Sequence, residues 1–369
     1  MIERPFGKRS GLMVPPANIG AMRLPRDLTE AVELVRHAID SGMKYIDTSR
    51  GYGESEWILG EALKDGYREK VILSTKWSAW ITKIQNADDT SGDCVRRRID
   101  EEMRRLDVDY LDFYQVWNID SREHYNQIIA KGGVIDGILK AKEEGLVGHL
   151  GFTTHDSVEN ILAYINEADW CEIILLTYNM MNRQYGPAIE AAYRKGIGTL
   201  VMNPVGGGRL GEASPVLGAL AEEVGAESAP ELAIRYVLSN PNVVSVLCGM
   251  TRLSDVDSTI RAAGKPAFTA DQMARIESFL GEVDGRRAGF CTGCRYCVPC
   301  PNGIDIPAVM ACVFDHRNWG LTMAAKHVYN SMRVKPDVCE ACGKCEAKCT
   351  QKLKISEEMA FAVRELAAK

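Results

Sequence analysis

Eight of the chain's twelve cysteines crowd into two short runs, Cys291-x2-Cys294-x2-Cys297-x2-Cys300-Pro301 and Cys339-x2-Cys342-x2-Cys345-x3-Cys349. Thiolates so spaced are soft ligands, and in a chain that opens without an apolar leader the clustering points to metal rather than disulfides. The other four, Cys94, Cys171, Cys248 and Cys312, are scattered and read as small buried hydrophobes. A second set of residues could move protons: Asp47, Tyr52 and Lys76. A phenol with a pKa of about 10 is a poor acid at neutrality. A neighbouring ammonium lowers that value and a carboxylate orients the ammonium. Such a trio could then protonate a carbonyl oxygen as hydride reaches its carbon.

Those side chains need elements to bring them together. Strand-like runs recur at 17–22, 44–48, 71–76, 111–117, 149–153, 172–178, 198–202 and 243–249. Between them, apolar residues at three- and four-residue spacing predict helices over 28–41, 54–65, 95–106, 157–166 and 187–195. Gly42, Gly66, Gly145 and Gly196 stand where those helices should stop, as a left-handed residue after a helix requires. Eight strands, each followed by a helix, fit an α/β fold of the (β/α)8 TIM barrel type, and no GxGxxG follows the first strand to suggest a Rossmann sheet. In such a barrel the C-terminal strand ends share one face, where Asp47, Tyr52, Lys76 and Trp117 would meet. After a helix near 270–282, the polar stretch 281–290 reads as a link. The expected domains are a barrel over 1–283 and a small domain over 284–369, too short for a good core without a staple. The net charge is −6 and there is no basic stripe, so neither nucleic acid nor an anionic membrane is an expected partner. No apolar run of about 18 residues exists, and the chain reads as cytoplasmic, with a small-molecule substrate.

The two cysteine runs resemble the bacterial two-cluster ferredoxins. That resemblance implies two [4Fe–4S] clusters in a ferredoxin-like domain, with three cysteines of each run on one cluster and the fourth crossing to the other. Cys291, Cys294, Cys297 and Cys349 would then hold one cluster, and Cys339, Cys342, Cys345 and Cys300 the second. The apolar tails at 304–306 and 353–355 match the strands that follow such runs. The first run is one residue short before Cys300, and Thr350 stands where proline is usual. Paired CxxC units also suit two tetrahedral zinc sites.

The segment YIDTSRGYGESEWILGEAL (45–63), followed by LSTKW (73–77), is similar to the aldo-keto reductase family. The likeness continues through 106–117, 151–157, 203–210 and 249–256, over roughly the first 265 residues. GFxxH after the fifth strand and GxxRL after the seventh look like the subgroup that carries a ferredoxin-type C-terminus. The resemblance implies Tyr52 as proton donor, Lys76 as its activator and Asp47 as the residue orienting Lys76. Trp117 occupies the place of the usual histidine; an indole donates but cannot titrate, so it could orient a carbonyl without shuttling protons. His155, after the fifth strand, could also face the pocket. The family lays a nicotinamide across the barrel mouth. This implies contacts from Thr153 and Thr154, from the loop Asn203, Pro204, Gly206, Gly207, Gly208, Arg209 and Leu210, and from Gly249, Met250, Thr251 and Arg252. Arg252 could meet the 2′-phosphate of NADP, and NAD(P)H is the cofactor expected. The glutamine that binds the carboxamide in the family is replaced by Leu175, and the family's later arginine and Glu-Asn pair by Asp255 and Ser258-Thr259.

Iron–sulfur clusters move single electrons whereas nicotinamide moves hydride, so a flavin at the mouth or a radical-tolerant substrate would have to join them. The expected function is an NAD(P)-linked oxidoreductase acting on a small carbonyl or enone-like substrate, whose clusters exchange electrons with a ferredoxin- or flavodoxin-type carrier. The other reading is an electron-transfer or redox-sensing protein whose barrel is a docking scaffold.

Overall fold

The computed structural model describes residues 1–80 and 88–367. A short antiparallel hairpin, β1 (Arg4–Pro5) and β2 (Met13–Val14), precedes eight parallel strands. These are β3 (Ala17–Gly20), β4 (Tyr45–Asp47), β5 (Ile72–Trp77), β6 (Leu111–Ile119), β7 (Val147–Thr154), β8 (Ile173–Thr177), β9 (Gly198–Met202) and β10 (Ser245–Cys248). They close in the order β10-β3-β4-β5-β6-β7-β8-β9, the (β/α)8 barrel expected from the sequence. The connecting helices are α1 (Leu28–Asp40), α2 (Ser55–Ala62), α3 (Gly92–Leu106), α4 (Arg122–Ile128), α5 (Val134–Glu143), α6 (Val158–Glu167), α7 (Gly186–Arg194), α8 (Pro215–Glu223), α9 (Ala229–Leu238) and α10 (Leu253–Gly264). Then come α11 (Ala270–Ala288), α12 (Ile306–Trp319), α13 (Thr322–Ser331), α14 (Lys344–Lys348) and α15 (Ile355–Leu366).

Local chemistry accounts for these boundaries. Asp27 caps α1 by accepting from the Glu30 N–H, and Ser91 caps α3 by accepting from Cys94. The four glycines expected at helix ends all have positive φ, from 74° at Gly196 to 99° at Gly42. Phe6, from the segment between β1 and β2, packs on Tyr45 and Phe113 at ring separations of 5.3 and 5.2 Å, filling the space among the starts of the strands. Cys94, Cys171, Cys248 and Cys312 are all buried, as expected; burial pushes the Cys248 thiol up to about 12.

The chain forms two compact units, Met1–Gly206 with Ala233–Ala267, and Gly207–Leu232 with Phe268–Lys369. Two sequence expectations fail in the second unit. The link expected at 281–290 is helical as far as Ala288, because Ile276, Phe279, Leu280 and Val283 form a buried stripe that carries α11 through its glycines. The ferredoxin strands expected after each cysteine run are absent among the described residues. The tail at 304–306 instead leads into α12, with Pro307 in its first turn, and the tail at 353–355 leads into α15. The core here joins Val309, Met310 and Val313 of α12 to Met359 and Ala362 of α15.

Gly137 tests the packing of α3 on α5. A Cβ there would lie 2.5 Å from the Gly92 carbonyl oxygen and 2.6 Å from its Cα. We expect Gly137→Ala to destabilise by about 1–3 kcal/mol through overpacking. Gly218→Ala, inside α8 with nothing within 4 Å, should stabilise by roughly 0.5–1 kcal/mol. Thermal or denaturant unfolding of the two variants checks both signs.

Candidate active site and cysteine cavities

The parallel register sets Asp47 of β4 beside Ser74 of β5, and Lys76 of β5 beside Gln115 of β6. Asp47 and Lys76 are almost sealed from water, at 3% and 1% exposure. The ammonium is bonded to Asp47 Oδ2 and donates to the Thr48 carbonyl at 2.8 Å. Gln115 Nε2 donates to Asp47 Oδ1 and to Ser74 Oγ, each at 2.9 Å. Burial alone would lower the Lys76 pKa, yet Asp47 and Tyr52 together hold it above its ordinary value. Burial raises the Asp47 carboxyl, against the opposing pull of Lys76 and Gln115.

Tyr52 follows β4 in a loop pinned from several sides. Ser49 Oγ donates to the Lys76 carbonyl at 3.0 Å, Thr48 and Ser55 hydroxyls meet at 2.8 Å, and Ser55 Oγ donates to the Ala21 carbonyl at 2.9 Å. This places the Tyr52 ring 4.7 Å from Lys76 Nζ. The trio expected from the sequence is therefore brought together, but one expectation needs correction. The Tyr52 pKa is raised, because burial outweighs the lowering by Lys76, and Asp47 adds to the rise. An ammonium already paired with a carboxylate has little net field left for the phenol.

Trp117 meets Tyr52 edge to face, with centroids 5.5 Å apart and planes at 80°. A bulge puts it there: the β6–β7 register shifts between Val116 and Ile119, and Asn118 has φ 58°. Thr153 Oγ1 accepts from Asn118 N at 2.8 Å, and Thr154 Oγ1 donates to the Ile119 carbonyl at 2.5 Å. Both threonines are buried, so the two hydroxyls expected to meet a nicotinamide also fix the bulge that aims Trp117. The His155 pKa is lowered by burial, with Asp120 opposing.

Of the residues expected at a dinucleotide, Asn203, Gly207, Gly208, Gly249, Thr251 and Arg252 are exposed, whereas Pro204, Leu210 and Met250 are buried. Gly206, Gly207 and Gly208 have φ of 60°, 71° and 100°, a run that favours glycine. Leu175 packs in the barrel core beside Leu200. At the start of α10, Asp255 holds the backbone. Asp255 Oδ2 accepts from Thr251 N at 3.0 Å and Arg252 N at 3.1 Å, and its other oxygen lies 3.4 Å from the Arg252 guanidinium. Asp255 thus closes a capping box at the start of α10, and the Arg252 side chain stays exposed.

Within the second unit, Arg209 is paired with Asp315 of α12. Glu212 accepts from the N–H groups of Met323 and Ala324 at the start of α13, and Ser214 Oγ donates to the Trp319 carbonyl at 2.6 Å. The segment after β9 thus docks on the C-terminal helices, a role its sequence did not announce.

The eight clustered cysteines line two small pockets. Cys291, Cys294, Cys297 and Cys349 line one; Cys300, Cys339, Cys342 and Cys345 line the other. Among the described residues no three His, Cys, Asp or Glu side chains are grouped to hold a single metal ion. Apolar Ile306, Met310, Leu353 and Ile355 complete the lining of the first pocket.

Comparison with known proteins agrees with the barrel. L-galactose dehydrogenase of Arabidopsis thaliana is 28% identical over 305 residues, covering 74% of this chain and 93% of that one. An uncharacterised oxidoreductase of Bacillus subtilis is 24% identical over 75% of this chain and 96% of its own. The holo form of an aldo-keto reductase from Bacillus halodurans superposes with a TM-score of 0.66 at 24% identity, over 75% of this chain and 96% of that one. The family model for aldo/keto reductases matches residues 18–280, ending before the first clustered cysteine. The chain belongs to the aldo/keto reductase family.

Proposed function

We propose that this oxidoreductase uses NADH on a small carbonyl or enone-like substrate. We further propose that its C-terminal cysteines hold two [4Fe–4S] clusters that exchange electrons with an external carrier. The observation that carries the first part is Tyr52 set between Lys76 and Trp117 at the barrel mouth. Nicotinamide bound there supplies hydride. Tyr52 supplies the proton, Lys76 stabilises the phenolate left behind, and Asp47 with Gln115 keeps Lys76 in place. The Trp117 indole can donate one hydrogen bond to the substrate oxygen but carries no proton to solvent. A sugar is a fair first substrate to try, since the Arabidopsis relative is named for one.

The cluster reading rests on the division of the cysteines between the two cavities, each drawing one member from the opposite run. The preference for NADH rests on Asp255, whose carboxylate at the start of α10 would repel a 2′-phosphate brought to Arg252.

Three results test these assignments. Tyr52→Phe should lower kcat for carbonyl reduction by about 10²–10⁴-fold with dinucleotide affinity unchanged, by analogy with the loss of any general acid. Because the phenol pKa is raised, its donor form persists to high pH. The wild-type rate should therefore show no Tyr52-dependent fall until pH passes the ordinary phenol range of about 10. Equal turnover in Tyr52→Phe would remove the role. Anaerobically purified protein should contain about eight irons and eight sulfides. Cys349→Ser should disturb the cluster of the first run, and Cys300→Ser that of the second, as read by electron paramagnetic resonance; zinc in place of iron would end the cluster reading. Asp255→Ser should narrow the NADH-over-NADPH ratio of kcat/KM by roughly tenfold, and an unchanged ratio would free Asp255 from that role.

A further inference from the structure

Of the eight clustered cysteines, Cys294 and Cys342 are exposed and the other six are partly covered. An electron entering from another protein passes most readily through the ligand nearest solvent. The protein carries a net charge of −6, yet residues 333–354 hold six cations, Arg333, Lys335, Lys344, Lys348, Lys352 and Lys354, against three acids, Asp337, Glu340 and Glu346. Several of these charges are already engaged. Lys335 donates to three carbonyls, Lys354 pairs with Glu357 at 3.0 Å, and Glu346 Oε1 accepts from Ser356 N and Oγ at 2.8 and 2.6 Å. Lys344, Lys348 and Lys352 are exposed and have no ion pair among the described residues. Lys344 and Lys348 lie four apart on α14, hence on one side of it, and flank the ligands Cys345 and Cys349. Val338, just before Cys339, is exposed at 44%, and Asp337 and Glu340 beside it in sequence are exposed acids.

We propose that Lys344, Lys348 and Lys352 form the docking surface for an acidic one-electron carrier protein, with Cys342 as the port to the cluster. This rests on the cluster reading given above. An acidic carrier is repelled by the net charge of the chain and attracted by these three lysines, so the same charges both steer and orient it. The transfer itself is one electron: the carrier's reduced centre is oxidised by one, the oxidised cluster is reduced by one, and no bond or proton moves.

The probe is flavodoxin, an acidic protein, used with the full-length protein handled anaerobically and its iron measured first. Oxidised flavodoxin should protect Lys344, Lys348 and Lys352 from acetylation at low ionic strength, as read by mass spectrometry. Reduced flavodoxin should reduce the clusters at a rate that falls as salt rises. In the K344E/K348E/K352E variant that rate should drop about tenfold or more and lose its salt dependence, while K344R/K348R/K352R keeps both. Dithionite, which needs no docking, should reduce all three proteins alike. Unprotected lysines, or equal flavodoxin rates with equal salt slopes, would overturn the proposal. So would a salt-sensitive dimer abolished by the same substitutions, which would assign the patch to a second copy of the chain. Protein without iron fails at the first measurement, and that result strikes the cluster reading rather than the docking surface alone.

Discussion

Asp47 and Lys76 are held out of water, and two charges so placed are stable only when their other lone pairs and N–H groups find partners. The Thr48 carbonyl takes one ammonium hydrogen and Gln115 supplies a donor to the carboxylate. Those partners sit on three adjacent strands, so the pair is satisfied only if β4, β5 and β6 close in the observed register. Behind the same strands, Glu56 accepts from Thr75 at 2.8 Å and from Arg105 at 2.7 Å, tying α2 and α3 to β5. The loop between β4 and α2, which carries Tyr52, is therefore fixed at both ends. Tyr52 is preorganised by the requirement that a buried ion pair be complete, and no side-chain search remains when substrate arrives.

Much of this was legible in the chain. Their places at the C-terminal ends of strand runs put Asp47 and Lys76 on one face of the barrel, and all eight strand runs are strands. Parity also could have found Gln115, the polar residue on the same face as Phe113 and Trp117 in an otherwise apolar run. What parity cannot reveal is the bulge after Val116, because an inserted residue leaves no trace in a two-residue alternation. The field at Tyr52 was misjudged for a different reason. Motif spacing shows that a cation is near, but the balance between that cation, its carboxylate and the loss of water is decided by burial.

The C-terminal residues were harder. Their cysteines were obvious, yet the short apolar tails at 304–306 and 353–355 are equally good as strands or as helix openings. Pro307 and the stripe Val309, Met310 and Val313 settle the first as α12, and Met359 and Ala362 the second as α15. The role of the segment after β9 was hidden as well. Arg209 was read for its likeness to a nucleotide loop, but its charge is answered by Asp315, and burial raises the Asp315 pKa against that pairing and Arg287. A buried carboxylate needs a cation, and Arg209 supplies it from a distant point in the sequence.

Two features then bear on how hydride and single electrons coexist in one chain. The site at the mouth contains a phenol, an ammonium and an indole, none of which stores an electron on its own. The cysteine pockets are lined by aliphatic Ile304, Ile306, Leu353 and Ile355 together with polar residues such as Thr292, Asn302 and Ser356. The segment that docks on α12 and α13 continues directly from β9, so the chain passes from barrel strand to the cysteine-bearing unit within a few residues. Were the clusters of the proposed reading present, hydride and single electrons could meet only through a flavin or on a substrate that tolerates one-electron steps, because nicotinamide moves two electrons together and a cluster moves one.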